Sequence, residues 1–165
     1  MSRSDAPQTV AIILIGNELL SGKIADLNGH YAMRRLRALG ASVTRLAIIP
    51  DEPAAIIDEL RRCIADNDVV ITSGGVGPTH DDVTLECIAE TFGVDCELNP
   101  QLEALIQRYF KDRATDAHYR MARIPSGSEL LDAGPETWPI VKKDSVYILP
   151  GVPEIFKAKF EAIAD

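Results

Sequence analysis

A continuous apolar run near the start of the chain most constrains its fold. Thr9–Ile15 contains no charged residue and ends at Gly16, a pattern typical of a strand that is buried on both faces. Val43–Ile49 and Asp68–Thr72 are two further predicted strands. Because a helical pattern follows each of the three runs, the chain is predicted to be an α/β protein with a mostly parallel sheet and helices on both faces.

Apolar residues at helical spacing follow the predicted strands. The first stripe includes Ile24, Leu27, Tyr31 and Leu39 and ends at Gly40, as expected for a glycine just after a helix. We expect each stripe to pack on the sheet. The predicted helices, named by the range of their apolar residues, are Ile24–Leu39, Ile56–Ile64, Leu85–Phe92 and Leu102–Tyr109, and a last helix near the C-terminus is predicted over Glu154–Ala164.

The segment Ala114–Pro139 shows no clear period. Its prolines and glycines predict loops, with one short strand near Glu129–Leu131. Ile140–Lys143 and Val146–Leu149 then flank a two-residue turn, which predicts a C-terminal β-hairpin. Since no repeat or linker-like segment interrupts the chain, we expect a single domain over residues 1–165, either a short protein or a part of a longer one.

The charge balance bears on possible partners. The chain has 17 Lys and Arg against 25 Asp and Glu, a net charge of −8, whereas nucleic acids and anionic membranes attract clustered basic residues. We therefore expect no nucleic-acid partner and no membrane partner. The three cysteines, Cys63, Cys87 and Cys96, lack the spacing of a metal site, and we interpret them as reduced thiols of a cytoplasmic protein.

The turn Thr72–Asp82 carries the strongest functional signal. Its glycines let the backbone approach a ligand closely, and successive backbone N–H groups in such turns form anion-binding nests. The turn lacks the Gly-Lys-Ser/Thr of a Walker A loop and departs from Gly-x-Gly-x-x-Gly. We expect it to bind the phosphate of a small molecule; a purely structural turn is the alternative. The expected contacts are Ser73, Gly74, Gly75, Gly77 and Thr79.

Two other turns also follow predicted strands. Gly16–Gly22 contains an acidic residue directly after the first strand, and Leu149–Glu154 contains a rigid Pro-Gly-x-Pro sequence. Ligands of open α/β sheets bind outside the carboxyl ends of the strands, so we expect both turns to reach the same site. The alternative is that their acids only favour the start of a helix. The expected ligand-binding residues are Gly16, Glu18, Pro150, Gly151 and Glu154.

Four acids are predicted to meet at this rim: Glu18, Asp81, Asp82 and Glu154. Carboxylates beside a phosphate site can hold a divalent cation, such as Mg²⁺, that bridges to phosphate oxygens. They can also accept hydrogen bonds from a ring amide, an amino group or a ribose hydroxyl. The sequence leaves both roles open.

Other candidate residues carry weaker signals. His80 lies within the glycine turn and could contact phosphate, or remain in solvent. Trp138 could stack on a ring or simply pack. Arg120 and Arg123 could reach a phosphate or only solvate a loop.

The segment Thr72–Thr84 resembles the signature of the molybdopterin-binding domain family. This family includes the MoaB/MogA proteins of molybdenum-cofactor synthesis, the N-terminal domain of CinA and a domain of some FAD synthases. The segments Gly16–Gly22, Asp26–Asn28, Met121–Gly127 and Leu149–Glu154 are similar to the CinA and FAD-synthase branch.

The resemblance implies a three-layer α/β/α fold with a pocket for a phosphorylated pterin or a nucleotide, and members that often form homo-oligomers. It implies that the three glycines hold phosphate, that Glu18 and Gly151 line the pocket, and that Asp81 or Asp82 contacts the pterin or a metal. Three functions stay open: binding of molybdopterin or its adenylylated form, divalent-metal-dependent hydrolysis of ADP-ribose or FAD with Asp81 and Asp82 as metal-binding catalytic residues, and a scaffold without chemistry.

Overall fold

The computed structural model describes residues 6–134 and 137–164. The strands are β1 Thr9–Ile15, β2 Ser42–Ile49, β3 Val69–Ser73, β4 Cys96–Leu98, β5 Arg123–Pro125, β6 Glu129–Leu131, β7 Ile140–Lys143 and β8 Val146–Leu149. The helices are α1 Asn17–Leu20, α2 Asn28–Ala38, α3 Pro53–Asp66, α4 Thr84–Phe92, α5 Pro100–Phe110, α6 Asp116–Met121 and α7 Pro153–Ala164.

A six-stranded sheet forms the centre of the fold. Its order is β2-β1-β3-β8-β7-β6. Strands β2, β1, β3 and β8 run parallel, while β7 pairs antiparallel with both β8 and β6. The predictions of a mainly parallel sheet and of a hairpin near the C-terminus are both confirmed.

The pairing register brings three strand ends to one level. Leu14 of β1 pairs with Ser73 of β3, and Ser73 pairs with Leu149 of β8. The turns that follow these strands therefore lie side by side at the carboxyl edge of the sheet, where α/β proteins bind their ligands.

Alternate residues of β1 point into two separate cores. Ile13 packs with side chains of α3, α4 and α5, including Ile56 and Ile88. Ile12 packs on the other side of the sheet with side chains of α2 and α7, including Phe156. Because burial of each such side chain contributes about 1.5–3 kcal/mol, both helical layers are held on the sheet. The predicted three-layer α/β/α arrangement is confirmed.

The first predicted helix begins later than its stripe suggested. Ile24 and Leu27 lie before α2 and are each 55% exposed, so the prediction that they face the core is wrong. The cause is Asp26, whose carboxylate accepts a hydrogen bond from the Gly29 backbone at 2.8 Å and a longer one from His30. These bonds satisfy the free amides of the first helical turn and start the helix there.

The segment Ala114–Pro139 contains more structure than loops. The predicted strand Glu129–Leu131 is confirmed, but α6 and β5 were not predicted. β5 pairs antiparallel with β4, another short strand. Elements this short show little periodicity, and neither α6 nor β5 is marked by a tight two-residue turn like the one that indicated the C-terminal hairpin.

Two further features concern the cysteine side chains and the length of the helices. The three cysteines are free thiols, and burial raises the pKa of Cys63 to about 12. Within the described ranges, the longest helices are too short and too polar to cross a membrane.

Candidate functional site

A cleft of about 620 Å³ opens at the carboxyl edge of the sheet. It is lined by the three predicted turns together with the segment before α2 and the start of α7. Of the predicted ligand-binding residues, seven line the cleft with Asp81 and Asp82. They are Glu18, Ser73, Gly74, Gly75, Gly77, Pro150 and Gly151.

Gly74 and Gly75 need the conformational freedom of glycine. Their φ angles are 104° and 68°, in a region that side chains rarely enter. A Cβ on Gly74 would also lie well inside van der Waals distance of the Ile15 carbonyl oxygen, and one on Gly75 would collide with the hydroxyl of Thr84. No larger residue fits either position without moving the backbone.

The amides of the glycine turn divide into two groups. Gly74 donates its N–H to the carbonyl oxygen of Leu149 at 3.1 Å, so this group is already used in joining β3 to β8. The N–H groups of Gly75, Val76 and Gly77 donate to no acceptor within the described residues. Three neighbouring free amides at a partly exposed turn can bind an anion.

Asp82 stabilises the second half of the glycine turn through hydrogen bonds. One of its carboxylate oxygens accepts hydrogen bonds from the backbone N–H of Thr79, at 2.9 Å, and from the hydroxyl of Thr79. A Cβ on Gly77 would lie 2.8 Å from the same oxygen. Asp82 therefore has a structural role in addition to its place in the cleft, and Thr79 contacts Asp82 without lining the cleft itself.

Asp81 is more open to solvent. Its carboxylate lies 3.4 Å from Nδ1 of His80, and the His80 side chain is 95% exposed and outside the cleft lining. Within residues 6–134 and 137–164, no three His, Cys, Asp or Glu side chains are close enough to form a metal site. The divalent cation at Asp81 and Asp82 stays a prediction.

The turn after β1 places one acid in the cleft. A Cβ on Gly16 would collide with the Glu18 carboxylate, so the acid lies directly over this glycine. The backbone N–H of Asn17 donates to Asp51 Oδ2 at 2.9 Å, which holds the short helix α1 at the end of β2. Gly16 itself does not line the cleft.

The turn after β8 packs on the glycine turn. A Cβ on Gly151 would be 3.4 Å from Cα of Gly74, so the two backbones are in close contact. Pro150 and Gly151 line the cleft, whereas the exposed Glu154 does not.

Asn28 joins these turns and was not singled out in the sequence. Its side-chain nitrogen donates to the Ser73 hydroxyl at 3.0 Å and to the Gly151 carbonyl oxygen at 2.8 Å. The Ser73 hydroxyl donates in turn to the Pro150 carbonyl oxygen at 3.1 Å. The buried Oδ1 of Asn28 has no hydrogen-bond partner within the described residues. The sequence signal that could have identified Asn28 is the similarity of the segment Asp26–Asn28 to the CinA and FAD-synthase branch.

Lys159 of α7 is a second residue that sequence reasoning missed. Its side chain is buried in the cleft wall, and Nζ donates to the carbonyl oxygens of Trp138, at 2.5 Å, and Pro139, at 3.1 Å. Burial lowers the pKa of Lys159 to about 8. A lysine on an amphipathic helix gives no sequence signal for such burial, because long side chains usually reach solvent.

The cleft is acidic apart from this lysine. Lys159 is the one cationic side chain in the lining that the structure describes. Arg120 lies 3.9 Å from Glu86, and Arg123 donates to the Cys96 carbonyl oxygen; neither lines the cleft. Trp138 does line it. The carboxylates in the lining are those of Glu18, Asp26, Asp51, Asp81 and Asp82.

The chain is similar to known proteins over nearly its whole length. The model of a family described as "Probable molybdopterin binding domain" matches residues 11–165. A CinA-like protein of Myxococcus xanthus is 40% identical over 92% of this chain, and a probable FAD synthase of Caenorhabditis elegans is 32% identical over 96%. The chain spans 38% and 35% of the length of these two relatives.

Solved structures agree with the observed fold. A crystal structure of the protein CinA, described as of unknown function, from Thermoplasma acidophilum has a TM-score of 0.86 and 30% sequence identity, covering 95% of this chain and 96% of that chain. The tungsten-cofactor-synthesizing protein MoaB of Pyrococcus furiosus has a TM-score of 0.61 and 20% identity, covering 97% and 92%. At this level of sequence identity, the similarity to MoaB shows a shared fold only.

Proposed function

This chain belongs to the molybdopterin-binding domain family, and on that premise we propose that its cleft binds a phosphorylated pterin, molybdopterin or its adenylylated form. The glycine turn holds the phosphate, and the rest of the cleft takes the ring. Of the ligand-binding residues predicted from the sequence, the seven that line the cleft are the proposed contacts, with Gly74 acting through its conformation because its N–H is used by Leu149.

The free amides of Gly75, Val76 and Gly77 carry this proposal. A phosphate offers several acceptor oxygens, and neighbouring backbone N–H groups bind it without a basic side chain. This mode suits a cleft whose charged lining residues are acidic except for Lys159, because the contacts come from the backbone. The carboxylates accept hydrogen bonds from the N–H groups of a pterin ring.

Calorimetric titration with molybdopterin, and separately with AMP, tests the proposal. We expect saturable binding at one site per chain. Gly75→Ala should abolish it, because the new Cβ collides with Thr84 and displaces the free amides. Gly93→Ala is the matched control, since Gly93 also has a positive φ but faces open space. No heat from either ligand with the wild-type protein would contradict the proposal.

A second candidate function is hydrolysis of a diphosphate such as ADP-ribose or FAD. Its support is the placement of Asp81 and Asp82 in the same cleft as the free amides, together with the similarity to a probable FAD synthase. Mg²⁺ commonly binds through one or two carboxylates, with substrate phosphates and waters as further ligands. Two aspartates could therefore suffice once a diphosphate is bound.

The reaction in this second candidate consumes one water and breaks one P–O–P bond. ADP-ribose would give AMP and ribose 5-phosphate, and FAD would give AMP and FMN. Release of AMP with Mg²⁺, Mn²⁺ or Co²⁺ tests it. Asp81→Asn should remove the activity without disturbing the bonds between Thr79 and Asp82, whereas the exposed Asp58→Asn should leave it unchanged. A rate that is equal in wild type and Asp81→Asn would contradict this candidate.

We also propose a single domain over residues 1–165, a homo-oligomer and a cytoplasmic location. Analytical ultracentrifugation tests the oligomer directly. If neither titration nor hydrolysis gives a signal, the remaining function is that of a scaffold.

A further inference from the structure

Lys159 is an unusual component of the cleft wall. Its ammonium group has three N–H donors, of which two are used by the carbonyl oxygens of Trp138 and Pro139. Within the described residues it forms no ion pair with a carboxylate. A buried cation that lines a cavity and keeps one free donor can bind an acceptor of the ligand.

The sheet register gives the distance between the glycine turn and Pro139, whose carbonyl oxygen Lys159 contacts. Thr72 of β3 pairs with Ile148 of β8, which pairs with Val141 of β7. Gly74 follows Thr72 by two residues, and Pro139 precedes Val141 by two residues. Because β7 runs antiparallel to β3, both residues lie at the same edge of the sheet. They are therefore about two strand spacings apart, or roughly 10 Å. This distance matches the separation between the phosphate and the ring of a phosphorylated heterocycle, and it is too long for two oxygens of one phosphate.

The surroundings of Lys159 also differ from those of the glycine turn. Its ammonium contacts the backbone carbonyl oxygens of Trp138 and Pro139, and these two residues line the cleft together with Ile155 of the same helix. Free backbone amides are concentrated at the other end. A flat ring fits the apolar end and a phosphate fits the amide end.

We propose that Lys159 selects the ring of the ligand by donating a hydrogen bond to an exocyclic oxo group. This inference rests on the proposed binding of a phosphorylated heterocycle. The site would then favour oxo-bearing rings, such as pterins, flavins and 6-oxopurines, over a ring with an amino group at that position. An ammonium can only donate, so an amino group facing it would leave its third N–H without an acceptor.

IMP and AMP form a matched pair of probes, because both carry the same ribose phosphate and differ only at the purine 6-position and in the N1 proton that accompanies the oxo group. In calorimetric titrations at neutral pH we expect the wild-type protein to bind IMP at least about tenfold more tightly than AMP. Lys159→Met should remove this preference and leave the affinity for AMP nearly unchanged. Lys159→Arg retains a donor and should retain a preference for IMP.

Lys157→Met is the control for the helix. Lys157 is exposed, lies over the Tyr31 ring and does not line the cleft, so the ratio of the two affinities should stay as in wild type. Molybdopterin, whose pterin carries an oxo group, is titrated in parallel and should bind Lys159→Met about tenfold more weakly.

The outcomes separate this inference from the proposed function. Equal binding of IMP and AMP by the wild-type protein would overturn the role of Lys159 and leave the phosphate site in place. A preference for IMP that survives in Lys159→Met, or an unchanged affinity of that variant for molybdopterin, would overturn it too. If the wild-type protein binds none of the three ligands, the proposed function fails and this inference fails with it. If Lys159→Met does not fold, equal binding of IMP and AMP by the wild-type protein would still overturn the inference.

Discussion

The side-chain nitrogen of Asn28 donates to the carbonyl oxygen of Gly151 at 2.8 Å, across 123 positions of sequence. The same nitrogen reaches the hydroxyl of Ser73. One amide group thus ties the start of α2 to the turns after β3 and β8. Because these turns form adjoining parts of the cleft wall, the shape of the cleft depends on Asn28.

Asn28→Ala should therefore weaken both the fold and ligand binding. Loss of a buried hydrogen-bonding group commonly costs about 1–3 kcal/mol, and here Gly151 and Ser73 lose a donor together. Urea unfolding and calorimetric titration measure the two effects. Asn67→Ala is the control: Asn67 donates to the Cys63 carbonyl oxygen at 2.9 Å, away from the cleft. It should lose stability without losing affinity, and an equal loss of affinity in both variants would count against the role of Asn28.

Gly74→Ala should destabilise the protein much more than Gly93→Ala. Both glycines have positive φ, which costs a residue with a side chain about 1–2 kcal/mol. Only Gly74 faces a backbone oxygen, that of Ile15, at a distance a Cβ cannot occupy. We expect Gly74→Ala to cost at least about 3 kcal/mol. Equal midpoints of urea unfolding for the two variants would show that the strand ends can separate.

Lys159→Met should change the dependence of stability on pH. Burial lowers the pKa of Lys159 to about 8 in the folded protein, from an ordinary value of 10.5. Between these two values the unfolded chain binds more protons, so the free energy of unfolding of the wild type rises with pH relative to the variant. The rise is limited to about 3 kcal/mol, and below about pH 8 the cost of burying the charge is fully present.

Urea unfolding of wild type and variant at neutral pH and near pH 10 measures this rise. The comparison with the variant is needed because burial raises the pKa of the cysteines, and their thiols titrate in the same range with the opposite effect. The exposed Lys157→Met should differ from wild type by the same amount at both pH values. A pH-independent difference for Lys159→Met would mean that its charge is solvated in the folded state.

Glu161→Gln should lower the free energy of unfolding less at low pH than at neutral pH. The Glu161 carboxylate accepts hydrogen bonds from Arg35, at 2.6 and 2.7 Å, and from the Tyr31 hydroxyl. The bonds from Arg35, followed by that from Tyr31, lower the pKa of Glu161 to about 2. The resulting stability is present above about pH 4.5 and is lost as the pH falls through about 2.

The Glu161 effect should be small because both partners are about one third exposed. We expect a loss of about 1 kcal/mol or less for Glu161→Gln at neutral pH, which shrinks toward zero near pH 2. Urea unfolding at both pH values measures it, with the exposed Glu90→Gln as the control. A loss that is the same at both pH values would show that packing, and not charge, supplies the stability.

Local patterns were sufficient to predict the sheet and the glycine turn. β1 is a continuous apolar run, and a strand buried on both faces needs that composition wherever it lies. Gly74 and Gly75 are demanded by backbone angles that few other residues adopt. By contrast, the start of α2 depended on one carboxylate, that of Asp26, which outweighed an apolar pattern that begins four positions earlier, at Ile24.

What the sequence alone determined is the order of the longer helices and of the strands of the central sheet, with the three turns that approach one another, since these follow from hydrophobic period and backbone preference within a few residues. What only the tertiary structure decided is which polar side chains those turns enclose. The hydrophobic period does not mark the roles of Asn28 and Lys159, because burial of a polar group depends on acceptors supplied by other parts of the chain, Gly151 for the first and Trp138 and Pro139 for the second. The sheet register and the helical layers together create that environment, and they exist only after the chain has folded.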